Sequence, residues 1–329
     1  MSAMLTVVTG ASGHLGGNLV RKLLQDGHRV RVLIHSNSRS LDELPVEKVN
    51  GNILDTESLK SAFLDADVVF HLAARISISS RDAKQVEEIN VTGVQNVVSA
   101  CLSGGVKRLV HVSSIHAHQQ TPLNQPVDET RPLVGLYHKF IYDRTKAQGE
   151  AIVSQAVASG LDAIILNPTC IIGPYDSQPS HFGAAIIMMA KGKMPVAIGG
   201  GFDWVDARDV ADGAIRAAQI APTGGKYMIS GHWMSLKDVA REVGLVVKRR
   251  TPSFVLPVWC ARGIVPFVGV YYRLTNSRPL FTKAAICAID GNRNICHDRA
   301  SITFGYQPRP FKETIFDTVT WFKENGYLD

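Results

Sequence analysis

Tyr142 and Lys146 stand four residues apart in the stretch GLYHKFIYDRTKAQGE, residues 135–150. On a helix that spacing puts both side chains on one face, so both reach one cleft. A phenol titrates near ~10 and is a poor base at neutral pH. A neighbouring ammonium favours its ionised form, and a shift of ~3 units corresponds to roughly 4 kcal/mol. Tuned in this way, Tyr142 would give a proton to a carbonyl oxygen or take one from an alcohol. Tyr137 has Ile141 four residues on, not a lysine, and is expected to line the pocket rather than act. Upstream, HVSSIHAH (residues 111–118) offers Ser113, Ser114, His116 and His118 to the same cleft. His111 alternates with Val110 and Val112 and reads as structural. The histidines lack the carboxylate or cysteine company of a metal site, so none is expected.

A second cluster lies near the start. VTGASGHLGG, residues 8–17, places Gly10, Gly13 and Gly16 after a short apolar run and at the start of a helical pattern. Gly10 permits a tight turn, Gly13 a close approach of backbone to pyrophosphate, and Gly16 close packing of helix on strand. The helix N-terminus then presents unpaired N–H groups and the positive end of its dipole to the phosphates. No G-K-[ST] follows, which argues against a nucleotide triphosphatase loop.

Such residues need a sheet to hold them. Residues 4–10, 29–35, 67–74, 108–114 and 162–168 are near-continuous apolar runs. Between them Leu15, Leu19, Val20, Leu23 and Leu24, and then Val86, Ile89, Val94, Val97 and Cys101, recur at helical spacing. Alternating strands and helices of this kind predict an α/β fold, a doubly wound parallel sheet of Rossmann type with helices on both faces. Serines at the C-terminal edge of a strand stand where such sheets bind ligands. We expect a dinucleotide-binding domain over residues 1–170, with 206–232 returning to it. A smaller, irregular substrate lobe is expected from 171–205 and 233–312, and a C-terminal helix from 313–329.

Composition excludes other classes. The 329 residues carry a formal charge of +6, with the basic residues scattered, and no nucleic-acid module is visible. Five cysteines without a C-x-x-C pair suit a reducing cytoplasmic location. No secretory signal is visible, and no apolar run reaches the ~18–20 residues of a spanning helix. The nearest, residues 254–272, is interrupted by Arg262 and prolines. It reads as a buried or substrate-covering segment, with contact at a membrane surface as the sharper alternative.

The second strand ends VLIHSNSRS, with no acid before Asp42 to hold a ribose 2′-hydroxyl. Arg39 and His35 would instead meet a 2′-phosphate, which favours NADP(H) over NAD(H).

With Thr9 ahead of it, the glycine spacing resembles the T-G-x-x-G-x-x-G of the extended short-chain dehydrogenase/reductases. GNILD (51–55) resembles that family's G-D-[IL] turn, with Asn52 in place of the acid, and FHLAA (70–74) its strand-four motif. Asn90 matches the helix-four asparagine, and ILNPTCIIGP (165–174) resembles R-P-x-x-[VI]-x-G-P with Asn167 in place of arginine. WVDARDVA (204–211) and the C-terminal FGYQPRPF match two further signatures, so the resemblance covers essentially the whole chain. It implies a catalytic set of Ser114, Tyr142 and Lys146, with Ser113 as the fallback serine. It implies cofactor contacts from Thr9, Gly10, Ser12, Gly13, His14, Leu15, Gly16, His35, Arg39, Asn52, Ile53, Leu72, Ala73, Ala74, Asn90, Tyr142, Lys146 and Pro168. His116, His118, Tyr137 and Trp204 are expected on the substrate side.

The chain looks closest to the branch of dihydroflavonol reductases and 3β-hydroxysteroid dehydrogenases. That implies an NADP(H)-dependent oxidoreductase for a ketone and a secondary alcohol on a bulky, largely apolar molecule. Residues 254–272 and 278–283 fit such a substrate. The alternatives are a nucleotide-sugar epimerase holding NAD tightly and a non-catalytic NADP-binding regulator. Family dehydratases carry Asp-Glu where Ile115-His116 stands here, which counts against dehydration. A homodimer is the family's usual assembly.

Overall fold

The structure, a computed structural model, describes residues 4–36, 38–76, 82–194, 196–249, 254–263 and 283–328. Much of the apolar run 254–272, and all but Lys283 of segment 278–283, lie outside the described residues.

Seven strands form the main sheet: β1 (Leu5–Thr9), β2 (Arg29–Ile34), β3 (Glu47–Asn50), β4 (Val68–His71), β5 (Arg108–Val112), β6 (Ala163–Pro168) and β10 (Lys226–Ile229). Their order is β10-β6-β5-β4-β1-β2-β3, and every neighbouring pair is parallel. Apolar residues on both strand faces require cover on both sides. On one face α1 (His14–Gln25) and α7 (Ala207–Ile220) bury Leu19, Leu23, Val210 and Ile215. On the other α2 (Thr56–Phe63), α4 (Gly93–Ser103) and α5 (Ile141–Ala158) bury Phe63, Val97 and Val153. The strand order reverses between β1 and β4, where a doubly wound sheet opens its ligand crevice.

Several elements depart from the periodicity. The apolar runs overshoot their strands by a few residues, and β3 carries too little apolar character to be seen in advance. The single helix expected over 86–101 is three pieces: α3 (Ala83–Glu87), a π-helical turn over Glu88–Thr92, and α4. Asn90 sits in that turn, with its side chain tied to both backbone groups of Arg75.

The second lobe is more regular than its glycines and prolines suggest. It holds β7 (Cys170–Ile172), α6 (His181–Ala190), β8 (Ala197–Ile198), β9 (Gly201–Asp206), β11 (His232–Ser235), α8 (Leu236–Val247) and β12 (Val255–Leu256). Strands β11, β9 and β7 make one small sheet, and β12 and β8 a two-stranded one. The last helix, Phe311–Glu324, packs Ile315, Val319 and Phe322 against α6 and α8, in the core of this lobe. Among the described residues no helix is long and apolar enough to cross a membrane.

Candidate active site

The glycine loop is fixed by sterics. Gly10 has φ +73°, and a Cβ there would lie 2.6 Å from the Ala73 nitrogen, against the chain leaving β4. A Cβ on Gly16 would lie 2.2 Å from the Gly10 carbonyl oxygen. Gly13 differs: a Cβ would meet only the Gly10 oxygen, at 3.3 Å, and the residue is exposed. Gly13 is also the N-cap of α1, which no side chain caps. By contrast α2, α6, α7 and α8 are capped by Asp55, Ser180, Asp206 and Ser235. The uncapped first-turn N–H groups beside an open glycine fit a phosphate, the group the sequence reading places here.

The opposite wall is built on α5. Tyr142, Lys146 and Glu150 follow one another at four-residue intervals and turn one stripe toward the ends of β5 and β6. Tyr142 is half-buried, with the Ser114 side chain close enough to its hydroxyl to lower the phenol's pKa. Ser114 is buried and also caps the short turn Ile115–Ala117 by accepting from the His116 N–H at 3.2 Å. Ser113, equally buried, has no hydrogen-bond partner on its hydroxyl. Of the two serines, Ser114 therefore meets the tyrosine. Lys146 is buried and donates to the Val112 carbonyl at 2.9 Å.

Behind this pair lies a polar network that sequence reasoning missed. Glu150 is fully buried. Its carboxylate pairs with Lys226 at 2.7 Å, lies 3.6 Å from His118, and accepts from the Asn167 amide. The Asn167 amide also donates to the Ser114 carbonyl at 3.1 Å. The acid four residues past Lys146 on the helix face was the available clue. Lys226, on a distant strand, gave no local sign.

These contacts set the charges. Burial alone would raise the Glu150 carboxyl, but the His118 hydrogen bond and the Lys226 ammonium outweigh it and hold it at about 2. Burial lowers Lys146 to about 8, with Glu150 pulling the other way. Tyr142 departs from the expected depression. Burial pushes the phenol up to about 12; the Ser114 side chain works against this, while Asp143 and Cys170 add to the rise. In the protein alone Tyr142 is therefore a protonated acid at neutral pH.

One cleft of about 1630 Å³ joins the two walls. Gly10, Gly13, His14, Leu15 and Gly16 line one end, with Leu72 and Ala74 from the chain just after β4. Ser113, Ser114, Tyr142, Lys146 and Pro168 line the middle. The far end holds the edge-to-face rings of Phe182, Phe202 and Trp204, with Met189, Met194 and Ile286. His116 lines the cleft in edge contact with Tyr142, next to Asp143 and His138, two further residues absent from the sequence reading.

Other expected residues do not line the cleft itself. Thr9 is buried in the sheet, its hydroxyl 2.7 Å from His71 Nδ1. Ser12 is half-buried, its carbonyl accepting from the Ser40 hydroxyl at 3.3 Å. Asn90 is a buried brace between the chain after β4 and Thr145 of α5. Asn52 closes its own turn by accepting from the Leu54 N–H, and Ile53 packs into the core against Gly93. Ala73 closes over Gly10. His35 and Arg39 are exposed on the segment after β2. Two of the residues expected on the substrate side stand outside the cleft lining. His118 is fully buried on Glu150 and the Arg131 carbonyl, away from the cleft, and Tyr137 is wholly exposed to solvent. Among the described residues no group of three or more His, Cys, Asp or Glu is placed to hold a metal.

Comparison with known proteins fits this geometry. The family model described as "NAD dependent epimerase/dehydratase family" matches residues 6–230, from β1 to the end of β10. The chain belongs to that family. Within this epimerase/dehydratase family it is an NAD(P)-dependent enzyme of the extended short-chain dehydrogenase/reductase type. It is similar to sterol demethylase protein B of Methylococcus capsulatus, with 31% identity covering 99% of this chain and 100% of that one. The human short-chain dehydrogenase/reductase family 42E member 1 is 28% identical, over 98% of this chain and 88% of its own. The crystal structure of gox2253 superposes with a TM-score of 0.87 at 29% identity, covering 99% of both chains.

Proposed function

We propose that the protein is an NADP(H)-dependent oxidoreductase interconverting a ketone and a secondary alcohol on a sterol-sized, largely apolar molecule, with Tyr142 as acid/base. The observation that carries this reading is the meeting of Ser114, Tyr142 and Lys146 in one cleft that begins at the glycine loop and ends in aromatic rings. The cleft exceeds the ~300–1,000 Å³ of a single small-molecule pocket, which leaves room for a dinucleotide and a second molecule end to end. The named relative, a sterol demethylase protein, supports an apolar polycyclic substrate.

A dinucleotide held at Gly10, Gly13 and Gly16 would supply the hydride for reduction or take it up in oxidation. The protein's own residues handle the proton. Ser114 donates a hydrogen bond to the carbonyl oxygen and holds it against Tyr142. The neutral phenol gives its proton to that oxygen in reduction, and a phenolate takes it back in oxidation. Lys146 keeps a positive charge beneath the site, anchored on Val112 and sustained by Glu150. Such charge favours the phenolate as it forms. Phe182, Phe202 and Trp204 exclude water from the far end and offer apolar surface to the substrate.

The NADP(H) preference rests on His35 and Arg39, exposed where an NAD enzyme keeps an acid. The Ser40 hydroxyl, bonded to the Ser12 carbonyl at 3.3 Å, fastens that segment to the glycine loop. NADPH and NADH titrations followed by a panel of ketosteroids and smaller ketones test the whole reading. Tighter binding of NADPH and oxidation driven by ketosteroids are expected. Conversion of a UDP-sugar without net redox would replace it with the epimerase. Binding of NADPH with no turnover of any carbonyl would favour a regulator. Arg39→Ala is expected to weaken NADPH about tenfold and NADH little, as loss of one charge-assisted contact requires.

A further inference from the structure

The second lobe carries a ridge of one chemical character. β8 and β12 pair at its edge, where the Ala197 N–H donates to the Phe254 carbonyl at 3.2 Å and the Gly199 N–H to the Leu256 carbonyl at 2.8 Å. Just outside this pair Val196, Phe254 and Trp259 stand 37%, 60% and 74% exposed. Lys193, Lys248 and Arg249 are exposed beside them, and Arg249 donates to the Lys191 carbonyl at 3.0 Å, which holds the two basic turns together. The sequence has no acidic residue between Asp176 and Asp203, and none between Glu242 and Asp290. Both segments are therefore basic and aromatic, and Asp290, which reaches the second of them, is held by Arg262 at 2.6 Å. Under it lies a thin cluster of Ile198, Leu256 and Ala261 with Ile286 and Ile289. The last two also line the catalytic cleft.

Exposed aromatic tips among lysines and arginines are the pattern of a surface that settles into a bilayer interface. The rings enter the headgroup region and the cations meet anionic lipid. A second copy of the chain suits this ridge poorly, because a two-fold contact would set like charges against each other. We propose that the ridge of Lys193, Val196, Lys248, Phe254 and Trp259 docks the protein on an anionic lipid surface, with the catalytic cleft one layer of side chains behind the contact. A substrate dissolved in the bilayer would then reach the cleft without crossing water.

The experiment is co-sedimentation of the full chain with vesicles of phosphatidylcholine, alone or mixed with phosphatidylglycerol, with no substrate present. It can therefore fail while the reductase reading stands, or hold while that reading fails. Wild type is expected to bind the mixed vesicles and to leave them as salt is raised. Each Lys or Arg near such a surface is worth ~1 kcal/mol, so Lys193→Glu with Lys248→Glu is expected to weaken binding about thirtyfold or more. Lys193→Arg with Lys248→Arg should retain it, and Trp259→Ala should weaken it about tenfold. An unchanged thermal midpoint certifies each variant as folded. No binding by wild type, equal binding to both vesicle types, or binding untouched by the charge reversal would overturn the proposal. A dimer lost in Trp259→Ala, without vesicle binding, would assign the ridge to self-association instead.

Discussion

The two ends of the catalytic cleft are held in place by different physics. At the glycine loop, backbone lies against backbone. Gly10 and Gly16 have no room for a Cβ, and the open place left is at Gly13, before an uncapped helix. At α5 the positioning is electrostatic. Tyr142, Lys146 and Glu150 form a polar stripe on a buried helix face, compensated by Asn167, His118 and Lys226 from other elements. A steric seat tolerates change where there is space and resists it elsewhere. A buried charge network depends on each partner, because an uncompensated ion in the interior is strongly destabilising.

The largest expected effect is at the tyrosine. Tyr142→Phe keeps the ring and removes the proton donor, and turnover of a carbonyl substrate should fall about 10²–10⁴-fold, the usual contribution of a positioned acid/base. Dinucleotide affinity should be little changed. Tyr137→Phe, fully in solvent, should match wild type in both respects. An active Tyr142→Phe enzyme would move the chemistry to another residue.

Next comes Glu150. Replacement by Gln leaves Lys226 and His118 without their carboxylate, and a loss of about 3 kcal/mol is expected from denaturant midpoints. The folded pKa of this group is depressed, so its contribution is complete above the ordinary value of 4.5. It is lost as pH falls from there toward about 2. Across that window wild-type stability should drop more steeply than that of Glu150→Gln. Parallel curves would show that the network does not hold the chemical end.

The smallest difference separates two glycines. Gly16→Ala drives a methyl into the Gly10 carbonyl and should cost about 1–3 kcal/mol, read as a lower thermal midpoint. Gly13→Ala meets one backbone oxygen at 3.3 Å, a few tenths of an ångström inside ordinary contact, so stability should fall far less than in Gly16→Ala while dinucleotide affinity falls. Equal thermal losses in both would erase the distinction between a packed glycine and an open one.

Much of this was legible in the chain itself. The sheet strands other than β3, the glycine turn and the Tyr–Lys spacing are local patterns, each set by a period or by a residue with special backbone freedom. Periodicity could not show the π-helical turn at Asn90, whose side chain is bonded to Arg75 fifteen residues earlier, a contact that no local spacing encodes. Nor could it tell His116 from His118, two positions apart in one segment. The first faces the cleft beside Tyr142, and the second is buried on a carboxylate from α5.

By itself, then, the sequence determined which residue types meet at the ends of parallel strands, since strand period, helix period and glycine turns act over a few residues. Tertiary structure alone decided their charge states. Tyr142 moves up to about 12 and Glu150 down to about 2 on the same helix stripe, because desolvation outweighs the serine at the first and the second meets His118 and a lysine from β10. Desolvation and ion pairing depend on what the rest of the chain brings within a few ångströms, and no local spacing encodes that.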